Sequence, residues 1–277
     1  SAIEEYAKRT IELGGHCLFS GEHGNQGNAY ETYLVAEKYG LKYVHSTEAY
    51  WVKDRLEQDS TNCHMMLVAL NNEGRKEINY MLSMANIDGY YYRPRIDLAL
   101  LLNANPNNII VTSACIAGWK YEDADEIWLR IADHFGENFF FEIQTHNVEK
   151  QIKLNKKILD LSIKNNIKMM VGLDSNYIYD KDDIRREQIL KYKKVEYPDE
   201  EGWYIDYPDA NTAYNRLKEQ NVFTEEQIIE AINNTNIFND KCEDIIFDKH
   251  FKIPILYKDK SYEERTNILK NILNAKY

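Results

Sequence analysis

Residues that bind divalent metals recur in this sequence at the ends of short hydrophobic runs. The run Ile109 to Thr112 is followed by small residues and a single cysteine. Histidine or carboxylate residues follow four other runs. One further run has the opposite order, with His64 before the hydrophobic residues. Imidazole, carboxylate and thiolate are the protein groups that bind zinc, iron or manganese. The candidate metal-binding residues are Glu22, His23, Glu48, His64, Cys115, His146 and Asp174.

The elements that would position these residues alternate in a regular order. Longer stretches with helical periodicity separate most of the hydrophobic runs, and this alternation predicts parallel β–α units in one sheet or barrel. Groups at the carboxyl ends of such strands converge on one face, so we expect a shared polar site. The chain contains no H-E-x-x-H, P-loop or G-x-S-x-G motif. The spacing alone therefore also allows the candidate residues to be ordinary turn, cap or core residues.

Composition limits the class of protein. A chain of 277 residues can form one or two domains. Its net charge of -11 argues against a surface that mainly grips a phosphate backbone. The four cysteines form no C-x-x-C pair, which indicates a reducing, cytoplasmic setting without a disulfide framework. No uncharged apolar run approaches the length of a membrane span, and the first residues lack the pattern of a signal peptide.

One aromatic and basic segment, GYYYRPR from Gly89 to Arg95, contrasts with the acidic composition of the rest. Such a loop can stack on bases or contact phosphate, which makes Arg93 and Arg95 candidate phosphate-binding residues. A packed tyrosine cluster with two arginines explains the same residues equally well.

The two ends of the chain suggest its organisation. The sequence enters an amphipathic helix directly after Ser1-Ala2, so we expect a strand to precede it in the parent protein. From about residue 190 onward helical patterns follow one another without a strong strand between them. We therefore predict a barrel domain in residues 1–190 and a helical extension in residues 191–277.

Six segments together carry a resemblance to a known family. The segments are GEHGN, STEAYWV, the stretch from NCHMM to GYYYRPRID, VTSACIAG, FFFEIQTHN and GLDSNY. In this order they resemble the PHP (polymerase and histidinol phosphatase) domain of bacterial C-family replicative polymerases, the DNA polymerase III alpha subunits. The resemblance covers Ile3 to Tyr179, and the later FTEEQIIEAINNTNIFNDKCE and FKIPIL are similar to the stretch that leads into the polymerase domains.

The resemblance implies a fold and a metal site. The fold would be a distorted (β/α)7 barrel, with its first strand apparently absent and a helical extension at the carboxyl end. The family's ligands fall on the seven candidate residues named above, with Asn176 as a weak further ligand. The expected cofactor is zinc, manganese or iron. The expected partners are the remaining polymerase domains of the same parent chain and, through them, DNA. We also expect Cys115, His64 and Asp174 to lie within metal-bridging reach of one another.

Departures from the family pattern indicate an incomplete site. No His-x-His pair occurs in the chain, Asn176 stands where the family has histidine, and Glu22 stands where aspartate is usual. Members with a complete cluster act as 3′–5′ exonucleases, whereas others are structural platforms, and we expect weak metal binding and little hydrolysis here. A free-standing PHP phosphoesterase acting on a small phosphate ester and an inactive interaction module are the alternatives.

Overall fold

A computed structural model of the chain describes residues 2–179, 183–194, 202–250 and 256–276. The chain divides into two compact units, Ser1–Ile245 and Ile246–Tyr277. The first unit holds a sheet with helices around it, and its strands are β1 (Cys17–His23), β2 (Lys42–Val52), β3 (Cys63–Ala69), β4 (Tyr90–Tyr91), β5 (Arg93–Asp97), β6 (Ile109–Thr112), β7 (Phe139–Gln144) and β8 (Met169–Gly172).

Helices separate most of these strands, as the sequence predicts. They are α1 (Ala2–Glu12), α2 (Ala29–Tyr39), α3 (Asn72–Ile87), α4 (Leu98–Leu101), α5 (Ala124–Phe135), α6 (Glu149–Asn165), α7 (Asp183–Lys193), α8 (Ala210–Glu219), α9 (Glu225–Asn233) and α10 (Ile237–Lys241). The second unit contains α11 (Tyr262–Lys276). No helix in the described ranges is both long and apolar enough to cross a membrane.

The sheet confirms the α/β class, with one difference from the predicted arrangement. Strand β2 pairs in parallel with β1 and β5, and β6, β7 and β8 pair in parallel with one another. Strand β3, however, is antiparallel to both β2 and β6. This reversal explains why His64 precedes its hydrophobic run, because the start of β3 lies at the same edge as the ends of β1 and β2. The result is a curled half-barrel rather than a purely parallel sheet.

Local sequence determines the ends of these elements. The Asp97 carboxylate accepts a hydrogen bond from the Leu100 backbone N–H and so caps helix α4, as predicted. All four residues of β6 are buried, as expected for a strand covered on both faces. The core beside this strand is aromatic, and the Trp51 and Trp128 rings meet edge to face at 5.5 Å. Burial of such rings provides much of the stability of the unit.

The boundary between the two compact units follows Ile245, whereas the sequence predicts a change of character near residue 190. Helices α8, α9 and α10 belong to the first unit, because their side chains complete its core. Leu217 and Ile228 are fully buried, and Cys242 packs in a core cluster with Val44 and Phe140. A sequence pattern shows that these helices are amphipathic but not which surface they cover.

Candidate metal centre

Four metal-binding side chains meet at one edge of the sheet, and we call them the His–Glu–Cys cluster: His23, Glu48, His64 and Cys115. The Glu48 carboxylate lies between two imidazoles, with Oε2 3.0 Å from His23 Nε2 and Oε1 2.8 Å from His64 Nδ1. Ligand atoms of these three residues all lie within 4.8 Å of one another. The Cys115 sulfur lies 3.4 Å from His64 Nδ1 and 3.7 Å from Glu48 Oε1.

Strand register brings three of these side chains together. His23 is paired with Glu48 across β1 and β2, so both side chains point to the same face of the sheet. His64 is paired with Tyr50, two residues beyond Glu48, and therefore shares that face as well. Tyr50, which the sequence did not indicate, places its ring 5.8 Å from that of His23 and 5.3 Å from that of His64.

Cys115 reaches the cluster from the loop after β6. The preceding residue, Ala114, has a positive φ of 50°, and the chain then enters a short 3-10 helix from Ile116 to Trp119. A non-glycine residue in this region is uncommon and costs free energy. The turn directs the buried Cys115 side chain back towards His64 and Glu48.

Electrostatics within the cluster favour a charged Glu48. Burial acts to raise the pKa of its carboxyl, but the hydrogen bonds from His23 and His64 outweigh burial and lower the pKa to about 2. The hydrogen bond that His23 donates to Glu48 raises the pKa of His23, against the opposing effect of burial. The cluster therefore concentrates negative charge between two imidazole rings.

A second carboxylate beside the cluster, Glu142, was missed by the sequence analysis. Burial and the negative charges of Glu48 and Asp174 raise its pKa to about 7, although a 2.7 Å hydrogen bond from Thr112 Oγ1 opposes them. A Cβ atom at Gly172 would lie 1.7 Å from Glu142 Oε1, so only glycine leaves room for this carboxylate. One charged residue within the hydrophobic strand Phe139–Gln144 was the signal that could have revealed it.

The acidic surroundings also act on the cysteine. Burial and the charges of Glu48 and Asp174 raise the pKa of the Cys115 thiol well above its ordinary value. The charge of Asp174 acts on both Cys115 and His23. Of the three residues expected within metal-bridging reach of one another, Cys115 and His64 are in contact at 3.4 Å. A buried thiol that carries its proton among carboxylates is a ligand that a divalent cation would deprotonate.

Glu22 does not join the cluster, in contrast to the assignment from the family resemblance. Strand β1 continues through His23 instead of ending in a loop at Ser20, so Glu22 and His23 point to opposite faces. The Glu22 carboxylate accepts a 2.8 Å hydrogen bond from the Asn28 backbone N–H at the start of helix α2. A carboxylate is favourable there because of the helix dipole.

His146 is also held apart from the cluster, by a segment that lies over it. We call residues 202–208 the covering segment. His146 Nδ1 accepts a hydrogen bond from the Tyr204 backbone N–H, and the ring stacks on Trp203 at 4.6 Å. Burial and the nearby charge of Arg216 lower the pKa of His146 to about 4. Its charged neighbours are Arg216 and Asp206, whereas those of His23 are Glu48, Asp174 and Arg93.

The weak candidate Asn176 is likewise engaged elsewhere. Its side-chain amide donates to the Asp174 backbone carbonyl at 3.1 Å. Its own backbone N–H donates to Ile205 in the covering segment at 2.7 Å. Asn176 is exposed, and the structure gives it no contact with the His–Glu–Cys cluster.

The two candidate phosphate-binding arginines differ. Arg95 is only 2% exposed, and its guanidinium donates to the backbone carbonyls of Gly89, Arg55, Glu57 and Asp59. Its prediction as a phosphate contact is wrong, because these carbonyls occupy its donors. Arg93 is exposed and lies 5.7 Å above the ring of Tyr50.

The donor set of the cluster fits a divalent transition metal. Two imidazoles, one carboxylate and one thiolate are a ligand combination typical of zinc and related ions. The surrounding charge of Glu142 and Asp174 would further stabilise a bound cation.

Comparison with known proteins identifies the family of the chain. Residues 1–146, just over half of the chain, match the model of the PHP domain. The DNA polymerase III subunit alpha of Campylobacter jejuni is 29% identical over 264 residues, which cover 87% of this chain and 22% of that protein. The corresponding subunit of Borreliella burgdorferi is 28% identical over 250 residues, covering 85% of this chain and 21% of that protein.

A distant likeness is also found among solved structures. A proposed metal-dependent phosphoesterase from Bifidobacterium adolescentis has a TM-score of 0.43 and 11% identity, covering 63% of this chain and 82% of that one. The family assignment does not rest on this likeness. The chain spans about a fifth of the length of the curated relatives that it matches. The chain belongs to the PHP domain family and is homologous to DNA polymerase III alpha subunits.

Proposed function

We propose that this PHP domain is part of a replicative DNA polymerase alpha subunit, where it acts as a structural platform with a partial metal site. The homology to polymerase subunits supports this function over that of a free-standing phosphoesterase. The remaining polymerase domains of the parent chain are then its partners, DNA is reached through them, and the protein acts in the cytoplasm.

One observation carries the proposal of a partial site. His23, Glu48, His64 and Cys115 meet at short distances, whereas three other family positions are engaged elsewhere. Those three are Glu22 at a helix start, His146 under the covering segment and Asn176 on a backbone carbonyl. Four ligand groups are enough for one tetrahedral ion. A second ion would have to use Asp174, Glu142 or the buried His146 Nε2, which has no hydrogen-bond partner among the described residues. We expect these groups to hold no second ion tightly.

The residues of the site would have different roles in a weak phosphodiesterase activity. A divalent cation held by the His–Glu–Cys cluster would act as a Lewis acid towards a phosphoryl oxygen. Glu48 sets the orientation of both imidazoles through its two oxygens. Glu142, with a pKa of about 7, can hold or release a proton near neutral pH. A two-metal mechanism needs two ions at fixed positions, so we expect slow hydrolysis at most.

Metal analysis of the 277-residue chain tests the proposal. The protein is loaded with Zn²⁺ or Mn²⁺, desalted and examined by elemental analysis, and we expect about one ion per chain. His64→Ala should lose the ion while circular dichroism shows an intact fold. Release of nucleotides from the 3′ end of single-stranded DNA should be slow or absent. Two or more tightly held ions per chain, with rapid release that a chelator abolishes, would refute the partial site.

A further inference from the structure

An exposed arginine lies beside the His–Glu–Cys cluster on the β4–β5 hairpin. The guanidinium of Arg93 stands 5.7 Å from the ring of Tyr50, and that ring contacts both His23 and His64. The positive charge of Arg93 acts to lower the pKa of His23, so it lies within electrostatic range of the cluster. Arg93 therefore places a positive charge at the rim of a site that is otherwise acidic.

Arg93 differs from three other arginines of the first unit, whose guanidinium groups are bound by carboxylates or backbone carbonyls. Arg55 pairs with Asp88 and Asp97, Arg216 pairs with Asp206, and Arg95 donates to backbone carbonyls. No carboxylate of the described residues forms an ion pair with Arg93, and its side chain is open to solvent. Arginine presents a planar set of donors that matches phosphate oxygens. Its guanidinium is thus available to an anionic ligand.

The residue next to Arg93 offers an aromatic surface. Tyr92 forms the tip of the hairpin, because Tyr91 pairs with Arg93 across it. It has a positive φ of 60°, which is rare for a bulky residue. Tyr92 is 70% exposed, and its ring meets that of Tyr91 edge to face at 4.6 Å. Tyr90 is 62% exposed on the same hairpin. The hairpin thus combines an unfavourable backbone conformation with large rings that are exposed to water. Both features are typical of binding sites.

We propose that the hairpin binds the end of a single-stranded nucleic acid beside the metal centre, with Arg93 on a backbone phosphate and Tyr92 stacked on a base. Aromatic stacking combined with an arginine–phosphate contact is how proteins bind single strands without sequence preference. The substrate class rests on the proposed function of the metal centre. The contacts themselves do not, since neither residue belongs to the His–Glu–Cys cluster.

The test measures binding separately from hydrolysis. A fluorescein-labelled oligothymidylate is titrated with the 277-residue chain in chelator, and fluorescence anisotropy gives the affinity at several salt concentrations. Arg93→Gln should weaken binding about tenfold, and should reduce the slope of log affinity against log salt by about 0.7. Tyr92→Asn should weaken binding fivefold or more, about the effect of one lost stacking contact. Asparagine is chosen because it tolerates a positive φ.

Matched controls separate these contacts from general effects of charge and stability. Arg130→Gln on helix α5 removes the same charge from another exposed position, and Tyr80→Asn on helix α3 removes another exposed ring. Both should bind like the unchanged protein. Absence of binding by the unchanged protein, equal affinities of R93Q and R130Q, or equal affinities of Y92N and Y80N would overturn the inference. Nucleotide release with Mn²⁺ is recorded on the same samples. Rapid release that a chelator abolishes, together with the expected binding, would count against the partial metal site alone.

Discussion

Two regions of the sheet edge contain similar residue types but hold them in different ways. In the His–Glu–Cys cluster, imidazoles on neighbouring strands share one buried carboxylate. Around His146, the imidazole is bonded to the Tyr204 backbone N–H and stacked on Trp203. The pKa of His23 is raised by its carboxylate partner, whereas burial lowers the pKa of His146 to about 4.

The difference indicates that the position after a strand does not by itself decide what a histidine contacts. His146 Nδ1 is bonded to a distant segment, and its Nε2 is buried without a hydrogen-bond partner among the described residues. Register fixes the first region, because paired positions on β1 and β2 put His23 and Glu48 on one face. A distant segment fixes the second region, because residues 202–208 supply the partner of His146. The predictions below address the two regions in order of decreasing expected effect.

Removal of the buried ion pair that anchors the covering segment should have the largest effect. The Asp206 carboxylate pairs with both terminal nitrogens of Arg216, at 2.6 and 3.0 Å, and the two side chains are only 9% and 13% exposed. Asp206→Asn leaves the arginine without its charge partner and should lower the free energy of unfolding by about 3 kcal/mol. Urea denaturation measures this. Glu225→Gln breaks an exposed pair with Lys218 and should change the free energy of unfolding far less, because solvent screens exposed charges. Equal losses would mean that the Asp206 pair does not anchor the segment.

Removal of the central carboxylate should abolish tight metal binding. Substitution of residues that only support the ligands already lowers metal affinity about 10- to 100-fold. Glu48→Gln removes a ligand and should weaken Zn²⁺ affinity by more than about 100-fold. Competition with a chelating dye gives the affinity. His146→Gln should leave the affinity within about threefold, because its imidazole stands outside the cluster. Equal losses in both variants would show that the two regions act as one site.

The buried histidine should make the stability depend on pH. The pKa of His146 is about 4 in the folded protein, compared with 6.5 as its ordinary value. Between about pH 4 and pH 6.5 the unfolded chain binds more protons than the folded protein. The free energy of unfolding therefore falls as the pH is lowered from about 6.5 towards 4, and His146 does not change it above about pH 6.5. The expected contribution is about 2 kcal/mol at pH 5. Urea denaturation in chelator at pH 7 and pH 5 should show a smaller loss for H146Q, and an identical loss would contradict the assignment.

The smallest effect is expected at Glu22. Glu22→Gln keeps an acceptor for the Asn28 N–H but removes the charge at the start of helix α2, and should cost about 0.3–1 kcal/mol of stability. Calorimetric titration should find the Zn²⁺ affinity within about twofold of the unchanged protein. A loss of tenfold or more would restore Glu22 as a ligand.

Some of this arrangement could be predicted from the sequence because it depends on local patterns. The hydrophobic runs predict the strands, and a ligand-type residue at the end of a run predicts its place at the sheet edge. The structure brings together four of the residues that this reasoning selected, His23, Glu48, His64 and Cys115, and the charge of Asp174 acts on Cys115. Their role as metal ligands stays a prediction.

Other features depend on information that a local pattern does not contain. Glu22 was misplaced because strand β1 extends to His23, and two consecutive residues of a strand cannot share a face. His146 was misplaced because its partner Tyr204 lies far along the chain. The packing of helices α8, α9 and α10 on the sheet could not be predicted, because helix amphipathicity does not identify the surface that is covered.

The most direct test of the central claim is anomalous diffraction from crystals of the chain prepared with Zn²⁺. The account predicts one strong peak at about 2.0–2.3 Å from ligand atoms of His23, Glu48, His64 and Cys115, with His146 still bonded to Tyr204. A peak ligated by His146 or Asn176, or no peak at the His–Glu–Cys cluster, would contradict it.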